Sequence, residues 1–159
     1  MFIAILLHIC GMQELNLPTY SFKTKTTDGA ELIFDGIRNK FVVLTEEEWV
    51  RQHVLRYLTE DLGYPKGLIK CETGVAYNTR MKRSDIVVFN NKGIPEILVE
   101  CKSPGVNINQ ATLEQAAMYN RTLKARIIFL TNGMIHYTFS FDESGNLVNL
   151  DKIPSYHEN

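Results

Sequence analysis

At 159 residues, with 45% hydrophobic and 22% charged side chains, the chain has the composition of one globular domain, which excludes a disordered or fibrous polymer. Its formal net charge of −1 supplies no global positive field to announce a nucleic-acid partner, although a local basic patch is compatible with it. The cysteines Cys10, Cys71 and Cys101 are odd in number, widely spaced and free of any CxxC, which argues against a disulfide framework or zinc knuckle and for a reducing cytoplasm.

In chain order, Phe2 to Cys10 is an apolar run too short to span a bilayer, and no Lys or Arg precedes it as a signal peptide would require. No membrane partner is expected. Residues 1–11 read as upstream sequence ahead of a start at Met12, with an added edge strand as the alternative. Residues 12–44 read as a β meander. Tyr20 to Thr26 and Glu31 to Phe34 flank the turn Thr27-Asp28-Gly29, and Lys40 to Leu44 follows the turn at Gly36. The period then becomes helical. Thr45 with Glu48 three residues on has the pattern of a capping box, Leu44 and Trp49 have the spacing of a hydrophobic staple, and Gly63 and Pro65 set the end near Leu62. The stripe Val50, Val54, Tyr57, Leu58, Leu62 predicts one buried face.

A strand candidate covers Leu68 to Tyr77. Two stronger strands, Asp85 to Phe89 and Glu96 to Lys102, are joined by the turn region Asn90 to Pro95 into a hairpin. A second helix is predicted over Ile108 to Leu123, with Asn107 and Gln110 in capping positions and Ala111, Ala116 and Ala117 allowing close approach to a sheet. Arg126 to Thr131 and Met134 to Phe141 are strands about the tight turn Asn132-Gly133. Residues 45–141 therefore read as a mixed α/β core, and residues 142–159 as a polar, weakly patterned tail.

The chemistry concentrates on the central hairpin. Strand alternation puts Glu100 and Lys102 on one side and Val99 and Cys101 on the other, while the turn brings Asp85 within a residue or two of Glu100. Two carboxylates and an ammonium converge. Mg²⁺ takes one or two carboxylates, keeps several waters and completes its shell with a substrate phosphate, so Asp85 and Glu100 are candidate ligands. The backbone carbonyl of Cys101 is a candidate third ligand, and Lys102 a candidate to orient a metal-bound water and stabilise phosphate charge. The reaction class is phosphodiester hydrolysis.

The bland alternative is a solvated cross-strand ion pair, since a chain of this length holds about half an E-x-K by chance. What sharpens the signal is position: the one E-x-K of this chain ends an apolar strand, opposite an Asp that opens another, and a helix bearing Gln follows. His53 and His136 have no partner at metal spacing, and no GxSxG, SxxK, HExxH or Walker loop occurs in these residues.

The stretches Glu46-Glu47-Glu48-Trp49-Val50-Arg51-Gln52, Lys82-Arg83-Ser84-Asp85-Ile86-Val87-Val88, Leu98-Val99-Glu100-Cys101-Lys102-Ser103-Pro104, and Gln115 with Tyr119, resemble a known family. In order and spacing they are similar to the N-terminal nuclease domain of type I restriction enzyme R subunits, within the PD-(D/E)xK nucleases, in a small stand-alone form. The resemblance runs from Met12 to about Phe141, and Leu15 to Pro18 after Met12 match how relatives begin. It implies a restriction-endonuclease-like fold, a central mixed sheet flanked by helices, with Mg²⁺ dependence, Mn²⁺ as a substitute, and action on DNA. A restriction role would require a partner subunit for target recognition; the oligomeric state stays open, a dimer included.

Carried over residue by residue, the family's ligands fall on Asp85 and Glu100 and its lysine on Lys102. A further acid on the first helix is common in such folds. The capping box accounts for Glu48 and the helix dipole for Glu46, which leaves Glu47, with an i to i+4 pair to Arg51 as its alternative. Gln115 is expected on a core-facing stripe with Ile108, Thr112, Tyr119 and Leu123, its amide directed at the site water or phosphate or else bonded to a sheet edge. Arg80, Lys82 and Arg83 crowd the approach to Asp85, with Lys66 and Lys70 upstream, and are candidates for phosphate contact; a solvated edge is the alternative. The function expected is a metal-dependent DNA nuclease. The alternative is a binding module for nucleic acid or protein that keeps the fold without catalysis.

Overall fold

The computed structural model describes residues 11–77 and 80–158, and within residues 73–84 and at residue 158 the backbone alone. The extension expected over residues 1–11 therefore lies almost wholly outside the described residues. Three strands, β1 (Thr24–Thr27), β2 (Ala30–Asp35) and β3 (Lys40–Val43), pair in order as an antiparallel meander. The first turn places Asp28 and Gly29 at left-handed φ of 51° and 76°, as the Asp-Gly pair predicts.

Helix α1 (Glu46–Arg56) begins where Thr45 Oγ1 accepts the backbone N–H of Glu48 at 3.0 Å. It continues as a π-helical turn over Tyr57–Asp61, so the expected extent to Leu62 is met with a change of pitch. Val50, Val54 and Leu58 are fully buried along the predicted stripe.

The second sheet has six strands, β4 (Ile69–Tyr77), β5 (Arg80–Phe89), β6 (Pro95–Cys101), β7 (Ile127–Thr131), β8 (His136–Phe141) and β9 (Leu147–Leu150), in sequence order. Among the described residues only β6 and β7 run parallel, and helix α2 (Gln110–Leu123) makes the crossover between them. Strand alternation divides the core. Ile86, Val88, Ile97, Val99, Ile127 and Phe129 pack with Val50, Val54 and Leu58 of α1, while Val87, Leu98, Ile128 and Leu130 pack with Ala116 and Tyr119 of α2.

Two expectations need correction. Helix α2 is capped by Asn109, whose side chain accepts from the Thr112 N–H at 3.1 Å with the reciprocal Thr112 contact, in place of caps at Asn107 and Gln110. Residues 142–159 are more than a tail: β9 pairs with β8, and Ile153 is 1% exposed in the α1-side core. The turn after β7 ties in the N-terminal segment, because Asn16 N donates to Gly133 O at 2.8 Å. Gly133 sits at φ +83°, where a side chain is strained, and a Cβ there would meet Leu15 Cδ2 at 2.7 Å and force it to shift. Among the described residues no helix is long and apolar enough to cross a membrane.

Candidate metal and active site

The hairpin register fixes the centre of the site. Ile86 pairs with Val99 and Val87 with Leu98, so one further step sets Asp85 against Glu100. The backbone N–H of Cys101 donates to Asp85 Oδ2 at 2.6 Å, which locks the carboxylate to the end of β6. Past that point Lys102 N donates to Thr131 O at 2.8 Å, extending the parallel ladder so that Lys102 leaves the sheet in a fixed direction. Val99 and Cys101 are fully buried on the α1 side and Glu100 and Lys102 are half-buried, as the alternation predicts.

Asp85 and Glu100 face each other across the hairpin, and Asp85, Glu47 and Lys102 all lie close enough to act electrostatically on Glu100. Burial first, and the Asp85 charge second, push the Glu100 carboxyl up to about 8 against the pull of Lys102. Glu47 is likewise raised, by burial and then by Asp85, with Arg51 and Lys102 opposing. Two carboxylates held in contact require a proton or a cation between them.

Arg51 is the residue that sequence reasoning left aside. Its Nη2 donates to Asp85 Oδ1 at 2.7 Å and to Glu47 Oε1 at 3.2 Å, and its Nη1 pairs with Glu48. The i to i+4 pair given as the alternative for Glu47 is therefore present, and Glu47 also lies close enough to Asp85 and Lys102 to feel their charge. Burial acts to lower the Arg51 pKa, but Asp85 and Glu48 outweigh it and hold the guanidinium above its ordinary value.

Glu48 also departs from expectation. Only half of the capping box forms: its N–H reaches Thr45, but its carboxylate turns inward. Arg38 Nη2 donates to Glu48 Oε1 at 2.8 Å and Gln52 Nε2 to the same oxygen at 2.9 Å, while Arg51 takes the other oxygen. Arg38 in turn donates through Nε to Asp35 Oδ2 at 2.7 Å, and Asp35 is fully buried. A continuous chain of charge-assisted hydrogen bonds thus runs from the meander through Asp35, Arg38, Glu48 and Arg51 to Asp85. Beside Asp85 in the sheet, Glu72 of β4 takes a left-handed φ of 52° and its carboxylate meets Arg38 Nη1 at 3.1 Å.

Gln115 does not sit where the stripe placed it. It is exposed, and the buried line of α2 runs through Ala116, Tyr119 and Asn120. Asn120 holds the α2 exit by accepting from Ala125 N at 2.8 Å and donating to Ala125 O at 2.9 Å. Arg80, Lys82 and Arg83 fall on β5, and their side chains lie outside the described residues.

Among the described residues no three His, Cys, Asp or Glu side chains form a ready cage. Two adjoining hard carboxylates at the end of a hairpin still meet the need of Mg²⁺, which takes the rest of its shell from water and substrate. The residues fit.

The family model for the type I restriction enzyme R protein N terminus matches residues 46–154, which takes in α1, the hairpin and α2. The chain belongs to this family. No curated protein matches it. Among solved structures, the chain is similar in fold to the fragment structure of a protein described as an HsdR subunit of a type I restriction enzyme, from Vibrio vulnificus YJ016. The two are 22% identical over 72% of this chain and 24% of that one, with a TM-score of 0.51. The present chain therefore spans about a quarter of that chain's length. A crystal structure from Anabaena variabilis ATCC 29413, described as a nuclease of DUF820, covers 86% of this chain and 80% of its own. Its identity is 11% and its TM-score 0.43. The first likeness concerns the fold, a restriction-endonuclease-like mixed sheet flanked by helices, and the second is too distant to carry an argument.

Proposed function

We propose that this chain is a divalent-metal-dependent nuclease hydrolysing phosphodiester bonds in DNA. The observation that carries the reading is the placement of Asp85 against Glu100 at the strand ends, with the Asp85 carboxylate fixed by the Cys101 N–H and Lys102 just beyond. In this reading Asp85, Glu100 and the Cys101 carbonyl hold Mg²⁺, or Mn²⁺ in its place. The bound ion would polarise the phosphate and lower the pKa of a coordinated water.

The protein's own groups supply the remainder. Lys102 donates to the attacking water or the phosphate oxygen and offsets negative charge as it builds in the transition state. Glu47 borders the cluster and accepts a hydrogen bond from incoming water. Gln115, exposed on α2, is assigned to water or phosphate at the site entrance. Arg80, Lys82 and Arg83 are assigned to flanking phosphates, which need sequence-independent cationic contacts. The Vibrio protein is described as one subunit of a type I restriction enzyme, and in the reading proposed here this chain would act in the cytoplasm with a further subunit that supplies target recognition.

One observation favours a second reading. Both Asp85 oxygens already accept hydrogen bonds, from Arg51 and from Cys101 N–H, so the cluster is partly satisfied without an ion. A binding module that keeps the fold without cleaving DNA would retain such pairing. Cleavage of supercoiled, linear and single-stranded DNA with Mg²⁺ or Mn²⁺, beside a Lys102→Ala control, separates the two. Nicking that disappears in the control supports the nuclease; tight metal-independent DNA binding without cleavage supports the module.

A further inference from the structure

Arg51 is a cation built into the proposed metal site. Its side chain is 7% exposed, and its guanidinium meets three carboxylates, those of Asp85, Glu47 and Glu48. Its Nε is buried without a hydrogen-bond partner among the described residues. Its place is set from behind, since Glu48 is itself held by Arg38 and Gln52. A guanidinium cannot shed its proton at any working pH, so this charge is permanent.

We propose that Arg51 is the resident counter-cation of the carboxylate cluster, and that it weakens metal capture by the free protein so that ion loading is coupled to a phosphate-bearing substrate. This rests on the metal-site reading above. Asp85 keeps its position without Arg51, because Cys101 N–H holds its other oxygen at 2.6 Å. Removing the guanidinium therefore removes charge and leaves the ligand in place. A fixed positive charge against a ligand carboxylate repels a divalent ion at short range. A substrate phosphate adds negative charge and an oxygen ligand to the same spot, offsetting that repulsion. Binding of ion and phosphate then becomes mutually favourable, and linkage makes the effect reciprocal.

The test is Mn²⁺ binding to the full chain, followed by electron paramagnetic resonance of the free ion. It is run with and without a phosphorothioate duplex that resists cleavage. Wild type is expected to bind Mn²⁺ about tenfold or more tightly with the duplex than without it. Arg51→Gln is expected to bind Mn²⁺ without duplex about tenfold or more tightly than wild type, with a larger Mg²⁺-induced rise in Tm. Arg51→Lys, which keeps the charge, is expected to stay close to wild type. A natively folded Arg51→Gln protein that binds Mn²⁺ no more tightly than wild type overturns the proposal and leaves the metal site standing. Should that variant fail to fold, the wild-type comparison decides: equal Mn²⁺ affinity with and without duplex sinks the coupling. No Mn²⁺ binding by any protein, duplex present or absent, overturns the metal-site reading and this inference together.

Discussion

Helices α1 and α2 cover opposite faces of one sheet and bury different chemistry. Alongside Val50 and Val54, α1 buries Glu48, Arg51, Gln52 and His53, whereas α2 buries Ala116, Tyr119 and Asn120. A helix that buries charge has to find partners beyond itself, because an unpaired buried ion costs several kcal/mol. For α1 those partners are Asp35 and Arg38 of the meander segment and Asp85 of the hairpin. The meander thereby supports the site from a distance. α2 docks chiefly by shape: alanine brings it near the sheet and Asn120 ties its exit, so its contribution rests on fit.

The largest effect expected from this contrast follows from Glu48→Leu. The change leaves Arg38, Arg51 and Gln52 without a shared acceptor, and a loss of about 3–5 kcal/mol in urea unfolding is expected. A loss under about 1 kcal/mol would mean that water replaces the carboxylate and that α1 does not depend on the network.

The second test concerns Glu100, whose carboxyl is raised from about 4.5 to about 8 in the folded protein. The folded state holds this proton more tightly than the unfolded chain. Metal-free stability from this group is thus full below pH 4.5 and is lost as pH rises through 8. The loss expected between those limits is on the order of a few kcal/mol, read from urea unfolding with chelator present. Glu100→Gln should flatten this slope and stabilise the apo protein at pH 9, and Mg²⁺ should reverse the slope in wild type. Asp85→Ala should behave differently and destabilise at every pH, since it strands Arg51 and the Cys101 N–H. A wild-type slope unaffected by Glu100→Gln would remove Glu100 from the coupled pair.

On the α2 side the expected cost is smaller and of another kind. Ala116 is 1% exposed against Val87, Leu98 and Ile128, so Ala116→Leu overpacks the contact by about 1–3 kcal/mol without altering Mn²⁺ affinity. A change in Mn²⁺ affinity as large as that from Arg51→Gln would show that both helices, not α1 alone, set the site.

Where the sequence was legible, the signals were local or strictly periodic. Alternation along two apolar strands located Asp85, Glu100 and Lys102, because a period of two leaves one register that buries Ile86 and Val99. The start of α1 was legible through Thr45. Glu48 was misassigned because the spacing from Thr45 fits a capping box, whereas its acceptors are claimed by Arg38 and Gln52, partners that only the fold brings near. Arg51 was hidden in the same way: an Arg four residues after a Glu reads as a surface pair until Asp85 arrives from another element. The signal that could have found it is a run of polar residues, Glu48, Arg51 and Gln52, bracketing Val50 on a face that has to be buried. β9 was missed because Leu147–Leu150 is only four residues long and mostly exposed at the sheet edge, too short a run to show a period of its own.

Gln115 supplies the smallest stability effect and the sharpest use of the contrast. Its side chain is exposed on α2, so Gln115→Ala should change stability by no more than about 0.5 kcal/mol. If α2 only covers the sheet, cleavage should also be unchanged. If Gln115 holds water or phosphate at the entrance, kcat should fall by about tenfold or more while Mn²⁺ binding without DNA stays as in wild type. That split assigns α2 a part in the reaction that its packing does not require, because an exposed amide stabilises a transition state only by touching it. A fall in both kcat and substrate-free Mn²⁺ affinity would place Gln115 among the groups that hold the ion, which would shift the ligand set away from the hairpin alone.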